Sequence, residues 1–282
     1  MAKTNIKIIL LIIIFCVSIY IMDNKILDYN IVKTQEKNSI LEAKKEGLTL
    51  DMELNKMIYF GKNLGNIVVN NIDIKKIDDY KYMNDFKEKL IPQFTDTIKI
   101  FQGNSGWFVF NSNLIKGANT LDFIKKGEIY KRQAEYDVVK SGYTKDSWWI
   151  ESLKEEGYFS NPYYWKDWDS YIFSYSKGFY KGEELIGVSG LEFSFDEFYK
   201  LLDDENLSNK DIIILNGNFE YIYNSNENYE TPIYYDEVRN RLKNSVKTSN
   251  SGILSFEFNK KKNTIAYFSL ENNWKLLLKS NS

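Results

Sequence analysis

Apolar positions fall first into one unbroken run and then into two kinds of period. From Ile8 to Met22 every residue is apolar except Ser18 and Tyr20. At about 1.5 Å per residue the run is slightly short for a ~30 Å hydrocarbon core. Including Ile6, with the Lys7 ammonium reaching the headgroups, brings it to spanning length. Lys3 and Lys7 precede it and Asp23 follows, which places the N-terminus in the cytoplasm and the rest outside. A cleaved signal peptide is the rival. Against it, no A-x-A-like pair of small residues follows the run, which ends Ser18-Ile19-Tyr20-Ile21. The large Phe15 before Cys16 argues against a lipoprotein in the same way. No second run of about 18 apolar residues occurs downstream.

Residues 24–71 contain no proline and carry a helical pattern. Leu50, Leu54, Met57, Gly61, Leu64 and Val68 step by four and three, a heptad-like stripe on one face. Two uses are open: the stripe pairs with a second copy of the chain, or it lies on the chain's own sheet. A second helix is expected over residues 84–100, with Asn84 as N-cap and Pro92 as a kink or break.

Beyond Gly103 the period changes from helix to strand. Trp107-Phe108-Val109-Phe110 reads as a strand between Gly106 and the Asn111-Ser112-Asn113 turn. Residues 130–168 are irregular and rich in aromatics, with a short helix near 148–156. Residues 171–176 and 185–193 read as paired strands turning at Lys181-Gly182. Ser194 is placed to cap a helix over 195–203, with Glu197 completing a capping box. The pattern then restarts. A buried-type strand at 212–215, the Asn216-Gly217-Asn218 turn, a strand at 221–223 and a helix over 235–246 precede strands at 253–258, 264–270 and 274–278. Two successive units imply two lobes joined by the polar stretch 203–210.

The chain of 282 residues is 43% hydrophobic and 16% aromatic, ample for real cores. The net charge of −2 offers no basic field for nucleic acid, which disfavours that partner, and none is expected. With no histidine, the usual base near neutral pH and most zinc sites are missing. Cys16 is the sole cysteine, so no intrachain disulfide forms. Asp203-Asp204-Glu205 lacks the alternating spacing of a calcium loop and reads as a solvated linker. Lys260-Lys261-Lys262 reads as an exposed hairpin tip. No metal, cofactor or catalytic group is expected.

Taken in order, these pieces resemble the double Cache (dCache) extracytoplasmic sensor family of bacterial chemoreceptors, sensor kinases and diguanylate cyclases. The resemblance rests on the anchor and long helix and on the Gly106-Trp107-Phe108 strand. It continues through Trp148-Trp149, the Pro162-Tyr163 turn and the 171–175 strand. The segment from Gly187 to Phe195 is similar to the family's GVxGxD-hydrophobic-x-F run, and Asn273-Trp274-Lys275-Leu276 to its terminal element. The resemblance implies an α+β fold: transmembrane helix, long stalk helix and two tandem PAS-like antiparallel lobes. Its segments would be an anchor at 1–22, stalk and packing helices at 23–102, a membrane-distal ligand lobe at 103–203 and a membrane-proximal lobe at 204–282. The function implied is small-molecule sensing for signal transduction or chemotaxis, without catalysis. Family receptors usually continue into a second membrane helix and an output domain, whereas this sequence stops at Ser282. A sensory stub and a separate signalling partner chain are both open.

A second departure concerns the ligand. The family's amino-acid binders carry a Tyr-x4-Arg-x-Trp-Tyr run and a later Asp. Aligned on Trp148-Trp149, Ser141 takes the Tyr position, Asp146 the Arg position, and Glu192 the place of the Asp. An aspartate there would repel a ligand carboxylate unless Arg132 or Lys145 supplies charge. The resemblance gathers Trp107, Tyr136, Trp148, Trp149, Tyr163 and Tyr175 with Asp146 and Glu192 around the ligand. Aromatic faces and unpaired carboxylates suit an amine or quaternary ammonium, at about 0.5–2 kcal/mol per cation–π contact. The bland alternative for each ring is core packing. A competing function is cell-surface carbohydrate binding or glycoside hydrolysis on Trp165-Lys166-Asp167-Trp168-Asp169, which would need two acids across an open cleft. A purely structural adhesion protein would need no pocket at all.

Overall fold

The computed structural model of the protein describes residues 2–114, 120–126, 129–132, 143–166, 168–202, 207, 210–225, 235–258 and 260–280. Of these, residues 2–14, 129, 132, 143, 235, 258, 261 and 280 are described as backbone only. One helix, α1, runs from Ala2 to Asn71. Its side chains are exposed from Phe15 to Gln35, and burial begins around Ala43. Among the described residues no helix is long and apolar enough to cross a membrane. Much of the expected anchor falls on residues 2–14, whose side chains lie outside that description.

The heptad-like stripe settles onto the chain's own sheets. Leu50, Leu54, Met57, Leu64 and Val68 are all completely buried. Gly61 and Gly65 make that approach possible. A Cβ on Gly61 would meet the Tyr175 ring at 2.8 Å, and one on Gly65 would meet Phe179 at 2.1 Å. The Ser189 hydroxyl uses the closeness to donate to the Gly61 carbonyl at 2.7 Å. Asp51 of the same helix accepts from the Glu271 N–H at 2.8 Å.

Helix α2 spans Tyr80–Phe101 and buries Met83, Phe86, Leu90, Phe94, Ile98 and Phe101 along one face. It starts four residues before the expected Asn84. Asp79 is the cap, its carboxylate accepting from the N–H groups of Lys81 (2.9 Å) and Tyr82 (3.2 Å). Pro92 neither ends nor splits it, since the assignment continues through to Phe101. Pro92 lies on the exposed side, and Thr95 donates to the carbonyls of Ile91 and Pro92.

Two antiparallel sheets follow. The first contains β1 (Ser105–Phe110), β2 (Thr120–Lys126), β3 (Ile129–Arg132), β4 (Tyr158–Phe159), β5 (Tyr163–Trp165), β6 (Ser170–Lys181) and β7 (Glu184–Ser194). Their order is β3-β2-β1-β7-β6-β4, with β5 also on β6. The second contains β8 (Lys210–Leu215), β9 (Tyr221–Asn224), β10 (Ser251–Phe258), β11 (Lys261–Ser269) and β12 (Lys275–Ser280), in the order β10-β11-β12-β8-β9. In both, the first and last strands of the unit are central neighbours, so one topology occurs twice. Three further α-helices are α3 (Ser147–Ser152), α4 (Phe195–Lys200) and α5 (Tyr235–Ser245), and single 3-10 turns lie at Ile74–Lys76 and Tyr143–Lys145. The α4 cap is the one expected, with the Ser194 hydroxyl accepting from the Glu197 N–H at 3.2 Å.

The two sheets share one core. Phe173 of β6 meets Trp274 at 5.4 Å between ring centroids and Phe198 at 5.0 Å, and Tyr199 stacks on Tyr223 at 4.4 Å. Most of the expected linker lies outside the described residues. The second sheet is buried on both faces. Ile212 and Ile214 pack with the α1 core, whereas Ile213 and Leu215 face Val238 and Leu242 of α5. That double burial is why Ile212-Ile213-Ile214-Leu215 reads as a continuous apolar run instead of an alternation.

Candidate functional site

The first sheet has one face on α1 and α2 and the other turned away from them. Pairing fixes which residues share the outer face. Ser105 lies opposite Glu192, Trp107 opposite both Gly190 and Asp122, and Ser174 opposite Glu192 from the other side. Because side chains alternate along a strand, Ser105, Trp107, Asp122, Ser174, Gly190 and Glu192 all stand on that face. Gly190 is a spatial necessity: a Cβ there would lie 2.2 Å from the Trp107 ring.

Glu192 is the centre of the arrangement. Its carboxylate accepts from the Ser105 hydroxyl at 2.5 Å and from the Tyr163 hydroxyl at 3.0 Å. The Trp107 indole N–H is a third donor. Burial pushes the Glu192 carboxyl up, and the donors from Ser105, Tyr163 and Trp107 only partly offset it. The residue as a whole keeps some accessible surface while its carboxyl group is enclosed. The carboxyl's own enclosed surroundings set its ionisation. Asp122 is pushed up to about 7, first by burial and then by repulsion from Glu192. Burial and the neighbouring Glu192 push the Tyr163 phenol up as well, which keeps it a donor. No lysine or arginine among the described residues figures among the groups acting on either acid. Among the described residues the site therefore gathers two carboxyls and three donors with no lysine or arginine acting on the acids.

Aromatic rings wall the same face. Trp107 meets Trp148 edge-on at 5.6 Å, and Trp148 meets Trp149 at 5.6 Å. Trp149 is buried with Val109 and Val188, which anchors α3 onto the sheet. The buried hydroxyls of Ser152 and Ser176, 2.6 Å apart, pin the other end of α3.

Of the eight residues singled out by sequence, the fold brings Trp107, Trp148, Trp149, Tyr163 and Glu192 to this face. Tyr175 goes elsewhere. It alternates to the helix side of β6, is fully buried against Gly61, and donates to the Glu156 carbonyl at 3.0 Å. Asp146 precedes α3, is exposed and makes no side-chain cap bond. Tyr136 and Ser141 lie outside the described residues, as does the side chain of Arg132. Lys145 is exposed. Sequence reasoning missed Asp122 and Ser105. An acid flanked by the inward residues Leu121 and Phe123 was the available sign for Asp122.

Known proteins agree on the class. Residues 88–200 match the family model described as methyl-accepting chemotaxis protein-like, first PDC sensor domain. The extracellular domain of the putative histidine kinase soHK1S-Z6 superposes with a TM-score of 0.65 at 16% identity, covering 89% of this chain and 95% of that one. The isoleucine-bound sensory domain of the Campylobacter jejuni chemoreceptor Tlp3 gives 0.64 at 13%, covering 89% and 94%. The periplasmic sensory domain of Tlp1 from the same organism gives 0.64 at 12%, covering 89% and 96%. No curated protein sequence matches. The fold is that of the sensory domains of bacterial receptors. Residues 88–200 match that family of chemotaxis-receptor PDC sensor domains, in line with the double Cache resemblance of the sequence.

Proposed function

We propose that the chain is a membrane-anchored, extracytoplasmic, non-catalytic sensor that binds a small ammonium-bearing molecule against the outer face of β1, β2 and β7. The observation that carries the reading is the Glu192 carboxylate, enclosed by Ser105, Tyr163 and Trp107 beside Asp122, with no cation acting on it among the described residues. A buried acid pair gains most from a ligand that brings positive charge. Trp107 and Trp148 supply the π faces that such a cation favours. Two Tlp3 structures hold isoleucine and L-valine, both bearing an amino group. Here Asp146 stands where the resemblance expects an arginine, so an amine fits better than an amino acid. The site comprises Trp107, Trp148, Trp149, Tyr163 and Glu192, with the addition of Asp122 and Ser105.

The anchor is residues 1–22, the stalk 23–102, the ligand lobe 103–203 and the membrane-proximal lobe 204–282. A homodimer through α1 cannot use the buried stripe. It would use the opposite line of exposed residues, Leu41, Leu48, Met52 and Tyr59. Cell-surface carbohydrate binding or glycoside hydrolysis on residues 165–169 is the alternative; there the Asp169 carboxylate accepts from the neighbouring Tyr164 hydroxyl.

The test is titration calorimetry on the full chain in lipid nanodiscs with 2-methylbutylamine, isoleucine and 3-methylpentanoate. These share a side chain and differ only in charged groups. The amine should bind, the acid should not, and Glu192→Ala should weaken the amine at least about tenfold, as expected for a charged partner. Binding of the acid alone, unaffected by Glu192→Ala, would refute the reading.

A further inference from the structure

The two sheets also enclose a cleft far from the acid pair in chemistry and in lining. Residues 156–161 from the first unit face two turns of the second, 216–218 and 271–274, with Ile58 of α1 between them. The enclosed volume is about 310 Å³. That is the lower end for small-molecule sites, roughly 300 Å³ and upward.

Its lining is unusually rich in amides: Asn161, Asn216, Asn218, Asn272 and Asn273. Glu156 and Glu271 add acceptors, and Tyr158, Phe159 and Trp274 add rings. Among the described residues no lysine or arginine lines the cleft. The amide set is held in place before any ligand arrives. Buried Asn216 accepts from the N–H groups of Asn218 (2.9 Å) and Glu220 (2.8 Å), and donates to Asn161 (3.2 Å) and Glu220 (2.7 Å). Asn272 accepts from the Trp274 N–H at 3.0 Å, which fixes its amide plane. Its Nδ2 is then buried with no hydrogen-bond partner. A buried donor of that kind is costly and is normally satisfied by something.

We propose that this cleft is a second binding site, taking an uncharged polyhydroxylated molecule of monosaccharide size. Amides present a donor and an acceptor side by side, which matches neighbouring hydroxyls. Carboxylates accept further hydroxyl protons, and the rings receive the apolar C–H face of a sugar or cyclitol. The missing cation disfavours phosphorylated or acidic ligands. A molecule held there would touch both repeats and α1 at once, so its binding would bias how the lobes sit.

The experiment uses the full chain in nanodiscs, with D-glucose, D-galactose, D-mannose and myo-inositol as probes, each against D-glucose 6-phosphate as control. Binding is read by calorimetry and by the shift in thermal midpoint. Asn161 is exposed, so Asn161→Trp fills the mouth with little cost to the fold, and Asn161→Ala removes one amide. At least one neutral probe should bind wild type and Glu192→Ala equally. Asn161→Trp should abolish that binding, and Asn161→Ala should weaken it about 5–10-fold. Should the tryptophan variant fail to fold, the alanine variant decides alone. The inference is overturned if no neutral probe binds, if the phosphate ester binds better, or if binding ignores both Asn161 variants. Loss in Glu192→Ala would also overturn it, by moving the probe to the distal face. The amine site can fail without affecting any of these outcomes.

Discussion

Replacing Asp122 with asparagine should make the protein more stable at alkaline pH and leave it unchanged in acid. The Asp122 carboxyl is pushed from an ordinary 3.8 up to about 7, chiefly by burial and then by Glu192. Below about pH 4 the carboxyl is protonated in both folded and unfolded chains and contributes nothing. Between about pH 4 and 7 the unfolded chain has lost this proton while the folded chain still holds it. The folded state then binds more protons, so stability falls as pH rises. Above 7 the full penalty is present, about 4 kcal/mol if the whole displacement is charged to folding. Residual water contact and proton sharing with Glu192 reduce that to about 2–4 kcal/mol. Asparagine keeps the shape and cannot ionise. Urea unfolding followed by tryptophan fluorescence should therefore show Asp122→Asn ahead of wild type by about 2–4 kcal/mol near pH 8. Near pH 4 the two curves should coincide. A gap that does not change with pH, or a variant weaker than wild type near pH 8, would refute the buried-acid argument. By the same logic an ammonium ligand should stabilise wild type more at pH 8 than at pH 5, and this difference should shrink in the variant.

Further perturbations probe other links. Gly190→Ala places a methyl 2.2 Å from the Trp107 ring, so amine affinity in calorimetry should fall while far-UV circular dichroism stays unchanged. Phe173→Ala empties the contact with Phe193, Phe195, Phe198 and Trp274 that joins the sheets, and should cost about 3–5 kcal/mol in urea unfolding. Lys275 is buried in the second sheet and burial lowers its ammonium to about 8. Its folded value lies below the ordinary 10.5, so wild-type stability should rise with pH from about 8 to 10, and Lys275→Met should flatten that rise in denaturation curves. Ser194→Ala removes the α4 cap and should cost about 1 kcal/mol.

Much of the architecture followed from local pattern. The α1 stripe, the paired strands turning at Gly182, the Ser194 cap and the repeated strand–helix–strand order all rest on period, turn residues and caps, which act within a few positions. Gly182 indeed takes a positive φ of 65° at the tip of the β6–β7 hairpin. Strands β2 and β3 escaped that reading. In β2, Asp122 sits between the buried Leu121 and Phe123, and aspartate is a poor strand former whose cost is met only by its place beside β1.

Sequence alone determined that aromatic residues and Glu192 lie in the first repeat, that Glu192 needs a partner, and that no histidine is available for catalysis. Only the tertiary structure decided which aromatics share a face with that acid. Alternation sent Tyr175 to the helix side one residue away from Ser174, and register set Asp122 across from Trp107. Whether the α1 stripe meets a partner or its own sheets was likewise open in sequence, because an apolar face records that it is buried and not against what. Close approach at Gly61 and Gly65 closes that question in favour of the chain's own sheets.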